Sequence, residues 1–175
     1  MTSFNELITK RRSTRKFTDD LLTPSEVETI LKAGLMAPAS KSNNPWEFIV
    51  VEEKERLQQL SLCKQHSASF IASAALAVVV VTDTTKSDVW VEDASIASIY
   101  MQLQAEDLGL GSCWVQCRNR VTESGIASED YIRQLFGLPD YMDVLSVIAI
   151  GHKMQDRKPF DEEKLQWEKV HIEKW

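Results

Sequence analysis

The chain has 175 residues, 43% of them hydrophobic, which is enough for one sizeable core and predicts a single domain over residues 1–175. A formal net charge of −6 and a pI near 5.1 exclude a general nucleic-acid binder, because backbone-phosphate binding rests on broad positive charge. No run approaches the ~20 apolar residues of a membrane span, and the opening Met1-Thr2-Ser3-Phe4-Asn5-Glu6 lacks the blocks of a signal peptide, so a cytoplasmic protein with reduced thiols is expected.

From the N-terminus, Phe4, Leu7 and Ile8 keep the i, i+3, i+4 spacing of a short amphipathic helix. Directly after it, Lys10-Arg11-Arg12-Ser13-Thr14-Arg15-Lys16 packs five cations and two hydroxyls into seven residues of an acidic chain. Such a cluster repels itself unless an anion sits in it or water screens it. Guanidinium forks give bidentate, charge-assisted bonds and a serine adds a neutral donor, a combination that suits a small phosphate. Plainer readings stand beside that one. Cations in a last helical turn oppose the macrodipole by only ~0.3–1 kcal/mol each; the run also reads as a solvated face, or as a basic patch for nucleic acid, against which the acidic balance speaks.

Thr23-Pro24-Ser25-Glu26 is a capping box with proline at the first helical position. The helix it opens is expected to bury Val27, Ile30, Leu31 and Leu35 before Pro38 ends it. A polar loop from Ala39 to Asn44 follows, closed by Pro45, and Trp46 to Val51 reads as a strand entering the core. Glu53 to Leu62 is a charged amphipathic helix and Ser67 to Ala75 another short one. Leu76 to Val81 is an unbroken apolar run, the pattern of a strand buried on both faces.

Asp88 to Leu108 is the longest helical pattern. One apolar stripe runs through Trp90, Ala94, Ala97, Met101, Ala105 and Leu108, another through Ile96, Ile99, Tyr100 and Leu103. A helix apolar on two sides is enclosed, by its own domain or by a subunit interface, and its alanines favour the interface. Gly109 and Gly111 end it; Ser112 to Gln116 is a strand, Ser128 to Phe136 a helix, and Val144 to Ile150 a strand closed by Gly151. The charged last segment keeps Phe160, Leu165, Trp167, Val170 and Trp175, which a disordered tail rarely does, so it is expected to lie across another subunit. The order of elements predicts an α+β sandwich, a mixed sheet of four or five strands flanked by helices.

Cys113 and Cys117 point to one face of their strand, and Cys63 and His66 are three apart. Neither pair has zinc-site spacing, so no metal is expected and all three cysteines read as core residues. Gly109-Leu110-Gly111 ends a helix rather than opening one and is not a dinucleotide fingerprint.

Four stretches fall into a recognisable order: Arg11-Arg12-Ser13-Thr14-Arg15; Ala37-Pro38-Ala39-Ser40-Lys41-Ser42-Asn43-Asn44-Pro45-Trp46-Glu47-Phe48; Gly109-Leu110-Gly111-Ser112-Cys113-Trp114-Val115; and the turn from Gly151 to Pro159. This succession closely resembles the nitroreductase family of FMN-dependent oxidoreductases, in its shorter form, from about Phe4 to Trp175. The resemblance implies a nitroreductase-like α+β homodimer, with the C-terminal arm exchanged between subunits and two FMN sites built from both. By position, Arg11, Arg12 and Ser13 match residues that hold the FMN phosphate and ribityl chain, and Arg15 the basic residue near N1 and O2 of the flavin ring. Ser40, Ser42 and Asn44 match the polar loop that the partner lays along the flavin. Ser112, Cys113, Trp114 and Val115 match the strand-end backbone passing close to the ring, and Arg157 and Lys158 the late basic pair that closes on the phosphate.

The implied activity is transfer of a hydride from NAD(P)H through FMN N5 to nitroaromatics, quinones or similar electron-poor acceptors, by alternating binding in one pocket. No side chain is then needed as a catalytic nucleophile, acid or base. The family's loop usually has Asn where Ser42 stands and Gln where Asn44 stands, which shortens the reach toward the ring edge. A flavin carrier or sensor with poor turnover, and a substrate-specific or flavin-consuming member of the same superfamily, therefore stay open as alternatives.

Overall fold

The computed structural model describes residues 3–175. Its sheet is built on Leu76–Asp83 (β2), eight residues that are all buried, as an unbroken apolar run requires. Trp46–Val51 (β1), Gly111–Gln116 (β3) and Met142–Gly151 (β4) complete it, in the order β1-β2-β4-β3. Every adjacent pair is antiparallel, so the expected mixed sheet is corrected to an antiparallel one. β2 and β3 do run in the same direction, joined by a helical crossover, but β4 lies between them. This is a split β-α-β arrangement. A crossover read from sequence predicts parallel strands; it does not say whether they touch.

Helices cover both faces. Val79, Val81, Val115, Val147 and Ala149 pack on one side against Lys54–Leu60 (α3) and Ser128–Phe136 (α5), through Leu57, Leu60 and Ile132. Val78, Val80, Ile148 and Ile150 pack on the other against Pro24–Leu35 (α2) and Trp90–Asp107 (α4), through Ile30, Ala94, Met101 and Ala105. The capping box at Thr23 forms as its sequence predicts, and the structure shows a second one at Ser3. The Ser3 hydroxyl accepts from Glu6 N ahead of Phe4–Lys10 (α1), and Thr23 does the same for Glu26 N ahead of α2.

Two expectations change in the structure. The segment near Ser67 to Ala75 is only a 3-10 turn, Ser69–Ser73. Leu35 is exposed, because α2 turns Ile30, Ala33 and Gly34 inward instead; a Cβ on Gly34 would come within 2.9 Å of the Met101 side chain, so only glycine lets α2 and α4 approach this closely. The second stripe of α4 is partly bare, with Ile99 and Tyr100 about two-fifths exposed, and Phe4 and Ile8 of α1 are exposed as well.

The stretch after α1 runs over the end of the sheet formed by the start of β3 and the end of β4. Ser13 makes a parallel bridge to Ser112, the one parallel pairing among the described residues, and Phe17 an antiparallel bridge to Lys153. Two glycines opposite each other in the ladder, Gly111 and Gly151, make room for it. A Cβ on Gly111 would lie 2.6 Å from the Thr14 side chain, and one on Gly151 2.9 Å from Phe17. Both values are closer than atoms can pack, so these glycines serve close approach.

Candidate functional site: an arginine-lined cleft at the strand ends

The early basic bend and the late turn meet here. Met154 N donates to Lys16 O at 3.2 Å, Thr18 N to His152 O at 3.0 Å, and Phe160 N to Thr9 O at 2.8 Å. Arg157 Nη1 lies 3.3 Å from the Ser13 carbonyl oxygen, to which it donates. Lys153 and Glu106 of α4 pin the junction from below through a 2.7 Å ion pair whose side chains are only 15% and 8% exposed. A cation placed this deep is held by its partner rather than by water. It therefore works as an anchor and is not available to an incoming anion.

The arginines above it are different. Arg11, Arg12, Arg15 and Arg157 have no carboxylate partner among the described residues. They face a hollow of about 440 Å³ together with Ser13 and Phe160. An adjoining hollow of about 420 Å³ is lined by Arg15, Lys16, Arg157 and Lys158. The Arg12 guanidinium lies 6.0 Å from the centre of the Phe160 ring, and that of Arg15 5.8 Å from the centre of the Phe70 ring. An aromatic face under a guanidinium holds it in place without neutralising it, leaving the charge free for a ligand.

Of the strand residues, Ser112 is buried and its carbonyl oxygen accepts from Thr14 N at 2.9 Å. Cys113 and Val115 point into the core, while Trp114 packs toward the α2/α4 side and its indole N–H donates to Gln116 Oε1 at 3.0 Å. What they offer outward is backbone: β3 is an edge strand, and beyond Ser112 no strand among the described residues lies beside its outer edge. Burial pushes the Cys113 thiol up, while Arg15, the Ser13 hydroxyl and Arg11 pull the other way. A buried thiol that feels this cluster shows how close the strand runs beneath it.

Ser40, Ser42 and Asn44 are not brought to this cleft within one chain. Ser40 N donates to Asp93 Oδ1 at 2.8 Å, at the first turn of α4, whereas the cleft is anchored on Glu106 at its last. Along α4 the rise from Asp93 to Glu106 separates them by roughly 20 Å. The loop is tightly shaped all the same, with Lys41, Ser42 and Asn44 at φ of 53°, 56° and 43°. Non-glycine residues pay in strain for that region of backbone space.

Phe70 and the Lys153–Glu106 pair are absent from the residues that sequence reasoning singled out, and Phe160 enters it only as part of the C-terminal arm. Phe70 lies in a different segment from Arg15, and no local pattern marks an aromatic that will sit beside a distant guanidinium. His152 faces the Leu21 carbonyl oxygen at 3.3 Å.

An antiparallel sheet between helical layers, with an arginine-lined cleft where an edge strand begins, defines an α+β protein of nitroreductase-like fold. Residues 8–152 match the model of the nitroreductase family. An FMN-dependent nitroreductase of Clostridium difficile R20291 superposes with a TM-score of 0.94 at 44% identity, over 97% of this chain and 98% of that one. A provisionally named NADH dehydrogenase/NAD(P)H nitroreductase of Archaeoglobus fulgidus is 34% identical over 97% of both chains. The NADPH-dependent FMN reductase of Bacillus subtilis is 27% identical over 88% of this chain and 68% of its own length. The chain belongs to the nitroreductase family.

Proposed function

We propose that this protein takes a hydride from NAD(P)H and delivers it, through FMN, to nitroaromatics, quinones or similarly electron-poor acceptors that alternate with the nicotinamide in one pocket. Family membership makes it an FMN-dependent NAD(P)H oxidoreductase; the acceptor class and the residue roles are our reading. The observation that carries the reading is the convergence of Arg11, Arg12, Ser13 and Arg15 with Arg157 on one hollow. Guanidinium groups without carboxylate partners, held against aromatic rings, fit a doubly charged phosphate monoester and would repel one another without it. When bound, FMN supplies a two-electron carrier.

The chain's own residues bind and tune. Arg11, Arg12, Ser13, Arg157 and Lys158 would hold the phosphate end. Arg15, set farther along the same wall, would stabilise negative charge on the pyrimidine side of the reduced ring and so raise its potential. The free outer edge of Cys113 to Val115 offers backbone donors and acceptors to the ring edge.

Completing the pocket requires a second copy. Ser40, Ser42 and Asn44 lie a helix length from the arginines of their own chain, so they can line a flavin only in the partner's cleft. The bare stripe of α4, with Phe4, Leu7 and Met36, walls an apolar hollow of about 600 Å³. The arm offers matching apolar surface: Trp167, Ile172 and Trp175 are 71%, 82% and 100% exposed. Contiguous apolar surface of this kind marks an association site, which supports a homodimer with exchanged arms.

Purified protein should be yellow and should bleach when NADH or NADPH is added without oxygen, then recover on adding a quinone or nitroaromatic. A colourless preparation that takes up no FMN would refute the reading. Bleaching too slow to support turnover would instead make the protein a flavin carrier.

A further inference from the structure

A buried carboxylate stands in the first turn of α4 with no cation beside it. Asp93 is only 3% exposed and makes no ion pair among the described residues. Such a group is costly unless hydrogen bonds and dipoles replace the lost water. The helix dipole favours negative charge at this end, and both oxygens are used. Oδ1 accepts from Ser40 N at 2.8 Å, and Oδ2 accepts from the hydroxyl of buried Ser87 at 2.9 Å.

The loop that this carboxylate holds needs holding. Ser40–Ser42 forms a single 3-10 turn, and Lys41, Ser42 and Asn44 all take positive φ. The side chains from Lys41 to Asn44 are exposed, so core packing does not impose that backbone. Two bonds to distant parts of the chain do: Ser40 N to Asp93, and Asn43 Nδ2 donating to Lys86 O at 2.8 Å. Without them, non-glycine residues in the left-handed region relax toward ordinary backbone. A polar loop kept under strain by a buried charge, with its side chains turned away from its own core, is shaped for something outside its own chain.

We propose that Asp93 is a positioning residue for the flavin of the partner subunit: with Asn43 it holds the Ser40–Asn44 loop in the shape that meets the ring of a flavin bound in the other copy's arginine cleft. The inference rests on the two-copy pocket proposed above and adds what shapes its second wall. Asp93 serves the first turn of α4 while Glu106 anchors the cleft at the last. Each subunit thus gives a cleft to its own flavin and a loop to its partner's. A merely structural carboxylate would damage folding or its own subunit's site when removed; a positioning one damages the site across the interface.

The test measures binding of FMN and riboflavin to dimers of Asp93→Ala, Asn43→Ala and Arg11→Ala, and to mixed dimers co-expressed under two affinity tags. The loop meets the ring and not the phosphate, so Asp93→Ala should weaken both flavins by the same factor, roughly tenfold, the scale of one charge-assisted hydrogen bond. Asn43→Ala should do the same more mildly; being exposed, it replaces Asp93→Ala throughout if that variant fails to fold. A mixed dimer of Arg11→Ala with Asp93→Ala has one site with both defects and one with neither. It should therefore bind half the wild-type amount of FMN at wild-type affinity, although neither parent dimer binds at that affinity. Unchanged affinity for both flavins, a loss confined to FMN, or mixed dimers with no wild-type site would each overturn the inference while a yellow, dimeric wild type leaves the proposed function standing. A wild-type protein that takes up no FMN would bring down both.

Discussion

Arg15 and Gly111 show how much single residues decide here. Arg15 has no ion-pair partner among the described residues and rests against Phe70. Arg15→Ala should therefore lower the flavin midpoint potential, read by redox titration, while FMN stays bound; Arg15→Lys should restore part of the shift. An unchanged potential would remove Arg15 from the ring's surroundings. Gly111→Ala would place a Cβ 2.6 Å from Thr14. Thr14 is itself buried between the bend and the sheet and has nowhere to go. Urea unfolding should show a loss of about 1–3 kcal/mol, typical of overpacking, together with weaker FMN retention because the bend is lifted. Stability loss with FMN affinity intact would separate the bend from the cofactor. The sequence marks Gly111 only as part of a helix stop. In fact Gly109, at φ +78°, does that work, and the role of Gly111 depends on a strand-end partner a hundred residues upstream.

At the level of elements, local chemistry reads reliably and pairing does not. The Thr23-to-Glu26 box forms as expected, with Glu26 Oε2 accepting from Thr23 N at 2.7 Å and from its hydroxyl at 2.8 Å. Those two bonds hold the Glu26 carboxyl below the usual glutamate range. A carboxylate depressed in the folded state contributes stability that is present above its unfolded pKa and fades as pH falls through the folded one. The acid limb of the unfolding curve should therefore be shallower in Glu26→Gln, and Thr23→Ala should cost about 0.5–2 kcal/mol at neutral pH. Identical acid limbs would show that the box contributes nothing in the intact protein. Leu35, Ser67 to Ala75 and the mixed sheet were misread for one shared reason. Each depends on what packs alongside: Gly34 against Met101, a 3-10 turn against α3, and β4 between β2 and β3. Periodicity within one segment carries none of that information. The cations of the cleft were legible because charge in an acidic chain is conspicuous, whereas the placing of Phe70 beside Arg15 arises only from the fold.

The molecule as a whole presents an arginine cleft and an exposed apolar face. The arginine cleft sits at the last turn of α4 and the Ser40 loop at its first, which is the layout expected if two copies complete each other's sites. Removing the arm after Pro159 should weaken the dimer, measured by sedimentation, and reduce FMN retention along with it. A truncated chain that stays dimeric and yellow would show that the arm lies on its own subunit.

The central claim is that the bend and the late turn grip a phosphate, and equilibrium titration of apoprotein with FMN and with riboflavin tests it most directly. The two ligands share the ring and differ in the phosphate. FMN should bind more tightly by at least the value of one charge-assisted bond, about 1.5–3 kcal/mol or roughly 10- to 150-fold, and Arg11→Ala should shrink that gap while leaving riboflavin binding nearly unchanged. Equal affinity for the two flavins, or a gap that Arg11→Ala leaves intact, would contradict the account.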